Sequence, residues 1–144
     1  MFGLLLVGLL VLTGCGGTGS SLNVQYVEGV ITLDGEPLEG ATITFISQGA
    51  GGQDAGGLSA ARGIYKLTSP GGDPERGTLV GEYAVTIRKI EIEGGAADPD
   101  SYTAVPVKQK DILPAVYRDR KNTPLTASVV KGKNRLNFDL TSNP

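Results

Sequence analysis

Apolar and polar residues alternate in short runs along most of this chain, and glycine-rich turns separate the runs. In residues 27–33, the side chains of Val27, Ile31 and Leu33 share one face, as expected for a half-buried strand. The same period of two recurs in residues 41–46, 63–68, 81–93, 125–129 and 136–140. The chain has 22 glycines and few helix-favouring stretches. We therefore predict an all-β fold of about seven strands, arranged as a sandwich of two antiparallel sheets.

The run 81–93 changes phase near its middle. Apolar residues occupy odd positions up to Ile87 and even positions from Ile90 onward. Because one extra residue moves the following side chains to the opposite face, this change predicts a bulge or sharp twist near Arg88 and Lys89.

Three further segments are assigned from composition. The glycine content of residues 49–57 predicts a loop. The composition of residues 131–134 predicts a hairpin turn. Residues 112–117 predict an irregular crossover whose apolar side chains fill one end of the core.

The chain begins with an uncharged, mainly apolar stretch that ends at its single cysteine, Cys15. Residues 12–15 (LTGC) resemble the lipobox of bacterial lipoproteins. The stretch is shorter than the ~20 apolar residues that a membrane-spanning helix needs. We therefore predict that residues 1–14 are a signal peptide that is removed, and that residues 15–22 form a flexible tether lipidated at Cys15. An ordinary secreted protein and a membrane-spanning anchor are the alternatives, because no Lys or Arg precedes the apolar run.

Composition excludes several function classes. The chain has no histidine and one cysteine, so Ser-His-Asp, Cys-His and histidine-based zinc chemistry are excluded, as is an intramolecular disulfide. A net charge of −2 gives no electrostatic reason to expect nucleic acid. Carboxylate pairs, Lys or Tyr are the residue types that could still carry catalysis. No motif points to them, and we expect no catalytic residues, no cofactor, no metal and no enzymatic activity.

The motifs of residues 23–144 resemble a known family. Residues 28–31 (EGVI) and 34–45 (DGEPLEGATITF), followed by 63–67 (GIYKL) and 81–87 (GEYAVTI), are similar to carboxypeptidase regulatory-like domains. The resemblance implies a transthyretin-like, or prealbumin-like, β-sandwich. In the parent enzymes this domain lies beside the catalytic domain, so the resemblance implies a structural or protein-interaction module.

Candidate ligand-contact residues come from the five tyrosines, because aromatic rings can stack on sugars. Tyr65 and Tyr83 fall on inward positions and are predicted to pack in the core, with each hydroxyl reaching an edge. Tyr102 and Tyr117 fall in predicted loops and are the candidates for ligand contact. Tyr26 is the remaining tyrosine.

Two charged segments have a functional and a simpler interpretation. The basic stretch 118–121 could meet anionic lipid or polysaccharide, although a solvated loop explains it more simply. Asp98 and Asp100, with Glu91 and Glu93 nearby, could supply calcium ligands, but a solvated loop is again the simpler interpretation.

Together these observations predict a non-catalytic lipid-anchored protein of the cell envelope, which contacts the membrane through lipid at Cys15. Its further partner would be an envelope protein or a glycan. A carbohydrate-binding module of the envelope is the alternative. Gly16 is not the aspartate associated with inner-membrane retention, so the outer membrane is favoured, with the domain in the periplasm or outside.

Overall fold

The computed structural model describes residues 23–69, 77–94 and 107–144. Over these residues the strands are β1 Val24–Gln25, β2 Val27–Leu33, β3 Glu36–Pro37, β4 Thr42–Ser47, β5 Ala55–Leu58, β6 Ile64–Lys66, β7 Thr78–Leu79, β8 Gly81–Arg88, β9 Ile90–Glu93, β10 Lys108–Asp111, β11 Thr126–Val129, β12 Asn134–Arg135 and β13 Phe138–Leu140. Two short 3₁₀ turns lie at Ala61–Gly63 and Ala115–Tyr117. Within the described ranges, no helix has the length and apolar character needed to cross a membrane. The all-β prediction is confirmed.

One layer is a four-stranded antiparallel sheet with the order β11-β8-β4-β5. Its longest pairing joins β4 to β8, with Phe45 opposite Val85 and Ile43 opposite Ile87. These four side chains are fully buried. The period of two in the sequence therefore forms the inner face of this sheet, because successive side chains of a strand point to opposite faces.

The second layer is a mixed sheet built around β2. Strands β6 and β3 pair with β2 in antiparallel fashion on one side, while β12 and β13 pair with it in parallel fashion on the other. This layer therefore adds two parallel pairings to the antiparallel ones expected from the sequence. Sequence periodicity indicates which face of the sheet a side chain occupies. It does not indicate whether the neighbouring strand is parallel or antiparallel, because side chains alternate in the same way in both cases.

The predicted hairpin at residues 131–134 is also wrong. Strand β11 ends in the four-stranded sheet and β12 begins in the mixed sheet, so this turn carries the chain from one layer to the other. The turn residues were recognised correctly, but a turn signal does not specify whether the next strand pairs with the previous one.

The core lies between the two sheets, and aromatic rings from both layers meet there. Phe45 of β4 has its ring centroid 5.6 Å from that of Tyr83 and 6.0 Å from that of Phe138 in β13. Tyr65 of β6 lies 6.3 Å from Phe138. The two sheets therefore pack face to face as a β-sandwich, which confirms the predicted architecture at that level.

Part of the predicted loop 49–57 is a strand. Strand β5 pairs with β4. Two backbone hydrogen bonds between Gly56 and Thr68 join the outer edge of β5 to the edge of the other layer. A Cβ atom on Gly57 would overlap the Lys66 carbonyl oxygen. Glycine is used here because the two backbones approach closely, and not because the segment forms a loop.

At Arg88 and Lys89, where a bulge or sharp twist was predicted, the structure has an interruption between two strands. Strand β8 ends at Arg88, and β9 leaves the sheet to pair with β10 alone. The crossover 112–117 also behaves as predicted, since Leu113 and Tyr117 are buried in the core cluster.

Candidate functional site

The residues singled out in the sequence are not brought together by the described structure. Cys15 and Tyr102 lie outside the described residues, as do Asp98 and Asp100. Tyr117 is 4% exposed, and its hydroxyl lies 3.3 Å from the Thr141 hydroxyl and accepts a hydrogen bond from the Thr141 N–H at 3.1 Å.

The burial of Tyr117 agrees with the crossover predicted for residues 112–117, but it contradicts the choice of Tyr117 as a ligand-contact residue. Its ring is packed at the end of the core, so a sugar ring has no face of it on which to stack. The short 3₁₀ turn that carries it directs the ring inward, which a loop assignment from sequence does not reveal.

The two inward tyrosines are placed as predicted. The Tyr65 hydroxyl donates a hydrogen bond of 2.6 Å to the Leu136 carbonyl, and the Tyr83 hydroxyl donates one of 2.8 Å to the Leu79 carbonyl. Burial raises the pKa of Tyr65 well above its usual value. Its hydroxyl therefore stays protonated and serves as a structural donor.

Both arginines of the basic stretch 118–121 form ion pairs within the molecule. Arg118 lies 3.3 Å from a carboxylate oxygen of Asp111, and Arg120 lies 3.1 Å from one of Asp54. Asp119, between them, accepts a hydrogen bond from the Asn122 side chain, which lowers the pKa of that carboxyl. These contacts support the solvated-loop interpretation of this stretch.

A cleft of about 500 Å³ lies on the outer face of the mixed sheet, and it is the candidate binding site. Four side chains line it: Tyr26, Glu28, Lys66 and Lys133. The Tyr26 hydroxyl donates a hydrogen bond of 2.8 Å to Glu28 Oε2, and Lys66 Nζ lies 5.7 Å from the centroid of the Tyr26 ring. The cleft therefore combines an aromatic ring, a hydrogen-bond acceptor and two cations.

Strand register places these groups side by side. Glu28 of β2 lies opposite Lys66 of β6 on one side and beside Arg135 of β12 on the other. Because residues in register on neighbouring strands share a face, all three side chains point outward, away from the core. Tyr26 precedes Glu28 by two residues and follows the same alternation.

The position of Lys133 is fixed by its neighbour Asn134, which is 6% exposed. The Asn134 side chain donates to the Val130 carbonyl at 2.8 Å and to the Gly132 carbonyl at 3.2 Å, and it accepts from the Val130 N–H at 2.9 Å. Its backbone N–H donates to the Tyr26 carbonyl at 2.9 Å. One asparagine therefore shapes the turn and attaches it beside Tyr26.

We expect Asn134→Ala to lower the free energy of unfolding by about 1–3 kcal/mol, because it removes a buried side chain that pairs with several backbone groups. Chemical denaturation followed by circular dichroism would measure the change. Lys131→Ala, in the same turn but exposed, should leave stability within about 0.5 kcal/mol of the original protein. Equal stability of the two variants would contradict this role for Asn134.

Sequence reasoning did not single out this cleft. Of the five tyrosines, Tyr26 was assigned neither to the core nor to a loop. Glu28, Lys66 and Lys133 are far apart along the chain. The available signal was the outward parity that Tyr26, just before β2, shares with Glu28 in β2. Lys66 comes close to Tyr26 and Glu28 only because β6 pairs with β2. Lys133 comes close to them only because the turn after β11 carries the chain from the four-stranded sheet to the mixed sheet.

Metal binding has no candidate site in the described ranges, since no group of three or more Cys, Asp and Glu side chains there could hold an ion. Glu93 instead lies 4.0 Å from the Lys110 ammonium on the exposed β9–β10 ribbon. The pKa of Asp34 is lowered chiefly by a hydrogen bond from the Ser142 backbone, outside the cleft.

Comparison with known proteins adds little to this description. No family model matches the chain, and no curated protein matches it. A 9R-lipoxygenase from Cyanothece is similar in structure at 11% sequence identity and a TM-score of 0.39, over 83% of this chain and 16% of the lipoxygenase. A likeness of that strength carries no argument about function.

Proposed function

We propose that this chain is a non-catalytic, lipid-anchored module of the cell envelope that binds a partner through the Tyr26 cleft. The anchor is Cys15, acylated after removal of residues 1–14. The anchored domain is a carboxypeptidase regulatory-like β-sandwich, a family assignment that depends on the sequence motifs. The membrane at which it acts is the outer membrane, as argued from Gly16.

The observation that carries the proposal is the closeness of the cleft to the predicted anchor. Strand β1 begins at Val24, and Tyr26 follows it directly. If residues 15–22 form the flexible tether expected from the sequence, Cys15 and Asn23 would be separated by a root-mean-square distance of about 15 Å. An acylated Cys15 would therefore hold the cleft near the bilayer, where envelope glycans and proteins are concentrated.

The structural roles of the perturbed ionisable groups support a non-catalytic module. Tyr65 donates to a backbone carbonyl in the interior, while Asp34 accepts from the Ser142 N–H at 2.9 Å near the end of the chain. Neither group faces the cleft. Binding is the activity that the cleft supports, because it presents cations and an acceptor on a fixed sheet surface.

Metabolic labelling with a palmitate analogue tests the anchor. We expect label on the original protein and background label on Cys15→Ser, because only a thiol accepts the diacylglyceryl group. Gly17→Ser, in the same tether, should keep the label. An unlabelled original protein, or its full recovery in an aqueous wash without detergent, would contradict the proposal.

The cleft also favours carbohydrate binding as a second candidate function. Tyr26 supplies an apolar ring and Glu28 supplies an acceptor for sugar hydroxyls, and these are the two contact types that sugars use. Tyr26 is therefore the candidate for contact with a sugar ring, because Tyr117 is buried.

A further inference from the structure

A small apolar patch lies at one end of the four-stranded sheet. Its two apolar members are Val80 and Val130, which are 55% and 57% exposed. They flank the last pair of residues that joins β8 to β11, in which Gly81 lies opposite Val129. The two valines therefore come close together on neighbouring strands, and with Lys131, the next residue along the chain, they form what we call the entry patch.

One hydrogen bond and one strand pairing attach the entry patch to the first residues after the predicted tether. The Gly132 N–H donates to the Gln25 side-chain oxygen at 2.6 Å. Strand β1, which contains Gln25, pairs with β7, and β7 ends directly before Val80. The entry patch therefore lies beside Asn23, where residues 15–22 join the domain.

An acylated Cys15 would bring a bilayer to the entry patch. A flexible tether of residues 15–22 would keep Asn23 at a root-mean-square distance of about 15 Å from Cys15. Because the patch would then meet the lipid within one molecule, a contact too weak to hold the free domain on a membrane can still be occupied. The position of the patch therefore favours the lipid surface that carries the anchor as its occupant.

The chemistry of the entry patch matches the boundary between the headgroups and the acyl chains of a bilayer. Its branched apolar side chains lie beside the exposed Lys131, and lysines near an anionic membrane surface are attracted to it. Lys133 in the same turn is also exposed, but it lines the Tyr26 cleft. Glu82, which follows in β8, accepts a hydrogen bond from the Ser128 hydroxyl, so this carboxylate already has an internal donor.

We propose that the entry patch docks on an anionic bilayer surface, with Val80 and Val130 at the level of the headgroups and Lys131 paired with a lipid phosphate. This inference rests on the proposed lipid anchor at Cys15, to which it adds a second membrane contact that orients the domain. Strand β8 runs eight residues away from the patch before the β9–β10 ribbon begins, which is about 25 Å of extended chain. Docking therefore places the ribbon at the end of the sheet opposite the membrane contact.

Paramagnetic relaxation enhancement of the full, ¹⁵N-labelled lipoprotein in nanodiscs tests the proposal. The discs contain phosphatidylcholine and phosphatidylglycerol, with a small fraction of lipid that carries a gadolinium chelate on its headgroup as the probe. We expect strong enhancement at the amides of Val80 and Gly132, because enhancement falls steeply with distance from the probe. It should be much weaker at Thr42, which pairs with Arg88 at the far end of β8.

Charge reversal separates docking from simple closeness to the tether. We expect Lys131→Glu to lower the enhancement at Val80 and Gly132 by at least about threefold, because it turns attraction to the anionic surface into repulsion. Lys108→Glu makes the same change in charge at an exposed position on the ribbon. It should change the enhancement by less than about 1.5-fold, because its distance from the patch exceeds the screening length.

The apolar half of the entry patch has its own matched pair of variants. Val130→Asp should lower the enhancement at Gly132 by about as much as Lys131→Glu, because it places a charged side chain where an apolar one meets lipid. Ile92→Asp makes the same kind of change on the ribbon, where Ile92 is 66% exposed. It should leave the enhancement at Gly132 unchanged.

Three results would overturn the proposal. Enhancement that persists in both Lys131→Glu and Val130→Asp would show closeness through the tether alone. Equal enhancement in discs of phosphatidylcholine alone would remove the role of headgroup charge. Amide shifts at the entry patch that grow with the concentration of Cys15→Ser, without lipid, would assign the patch to a contact between copies of the chain.

Mass spectrometry of the same sample separates the docking from the anchor. A protein that is acylated at Cys15 but shows no lipid contact at the entry patch would reject the docking and leave the anchor standing. A protein that is not acylated would reject the anchor and, with it, the docking that rests on it.

Discussion

Gly29→Ala is expected to lower the free energy of unfolding by about 3 kcal/mol, because the added methyl group overpacks a site formed by backbone. A Cβ atom on Gly29 would overlap the Leu136 carbonyl oxygen and come within 2.8 Å of Tyr65 Cε1. The Leu136 carbonyl is the acceptor of the buried Tyr65 hydroxyl. The substitution therefore also disturbs a hydrogen bond that links the strands on either side of β2.

Gly56→Ala is the matched control. Gly56 also lies in a strand, but a Cβ atom there would meet only the Ile43 carbonyl oxygen at 3.6 Å, which is an ordinary contact. Denaturant titration followed by circular dichroism would measure both variants, and Gly56→Ala should stay within about 1 kcal/mol of the original protein. A Gly29→Ala protein as stable as Gly56→Ala would show that the close approach at Leu136 is unimportant.

Phe45→Ala is expected to lower the free energy of unfolding by about 3–5 kcal/mol, because it leaves a cavity in the core. The Phe45 ring is 0% exposed and contacts Tyr83 in its own layer and Phe138 in the other. The near-ultraviolet circular dichroism of the tyrosines should weaken as packing around Tyr83 loosens. Denaturant titration followed by circular dichroism would measure the loss of stability.

Ile92→Ala removes a large apolar side chain outside the core and serves as the comparison. Ile92 is 66% exposed on the β9–β10 ribbon, so its truncation should change stability by less than about 0.5 kcal/mol. If Phe45→Ala and Ile92→Ala unfolded at the same denaturant concentration, the face-to-face packing of the two sheets would be contradicted.

Alternation along the chain was sufficient to predict which residues are inside. Val27 and Ile31 were assigned to one face of a strand and are fully buried together in β2. The phase change near Lys89 located an irregularity, which was predicted as a bulge or sharp twist and is the interruption between β8 and β9. Both features are local, because they depend on a period of two within one run of residues.

Gly29 shows the limit of that local reasoning. It lies between Val27 and Ile31 on the inward face, where periodicity alone predicts an apolar side chain. The structure gives the reason for glycine, since Tyr65 lies opposite Gly29 in β6 and reaches across it to Leu136. That arrangement joins three segments that are distant in sequence.

The candidate site was less predictable than the fold for the same reason. Tyr26 and Glu28 share an outward face that the sequence reveals, but Lys66 and Lys133 join them only when β6 and β12 pair with β2. Tyr117 was assigned to a loop and is buried, because the inward direction of a short turn depends on the core that it covers.

The sequence by itself determined the all-β class, the inward residues of the main strands and the chemistry that a chain without histidine and with one cysteine cannot perform. The tertiary structure decided the parallel pairing beside β2, the crossing of the chain between layers and the grouping of charges around Tyr26. The physical reason is that side-chain alternation depends on neighbours along the chain, whereas strand pairing depends on hydrogen bonds between residues far apart in it.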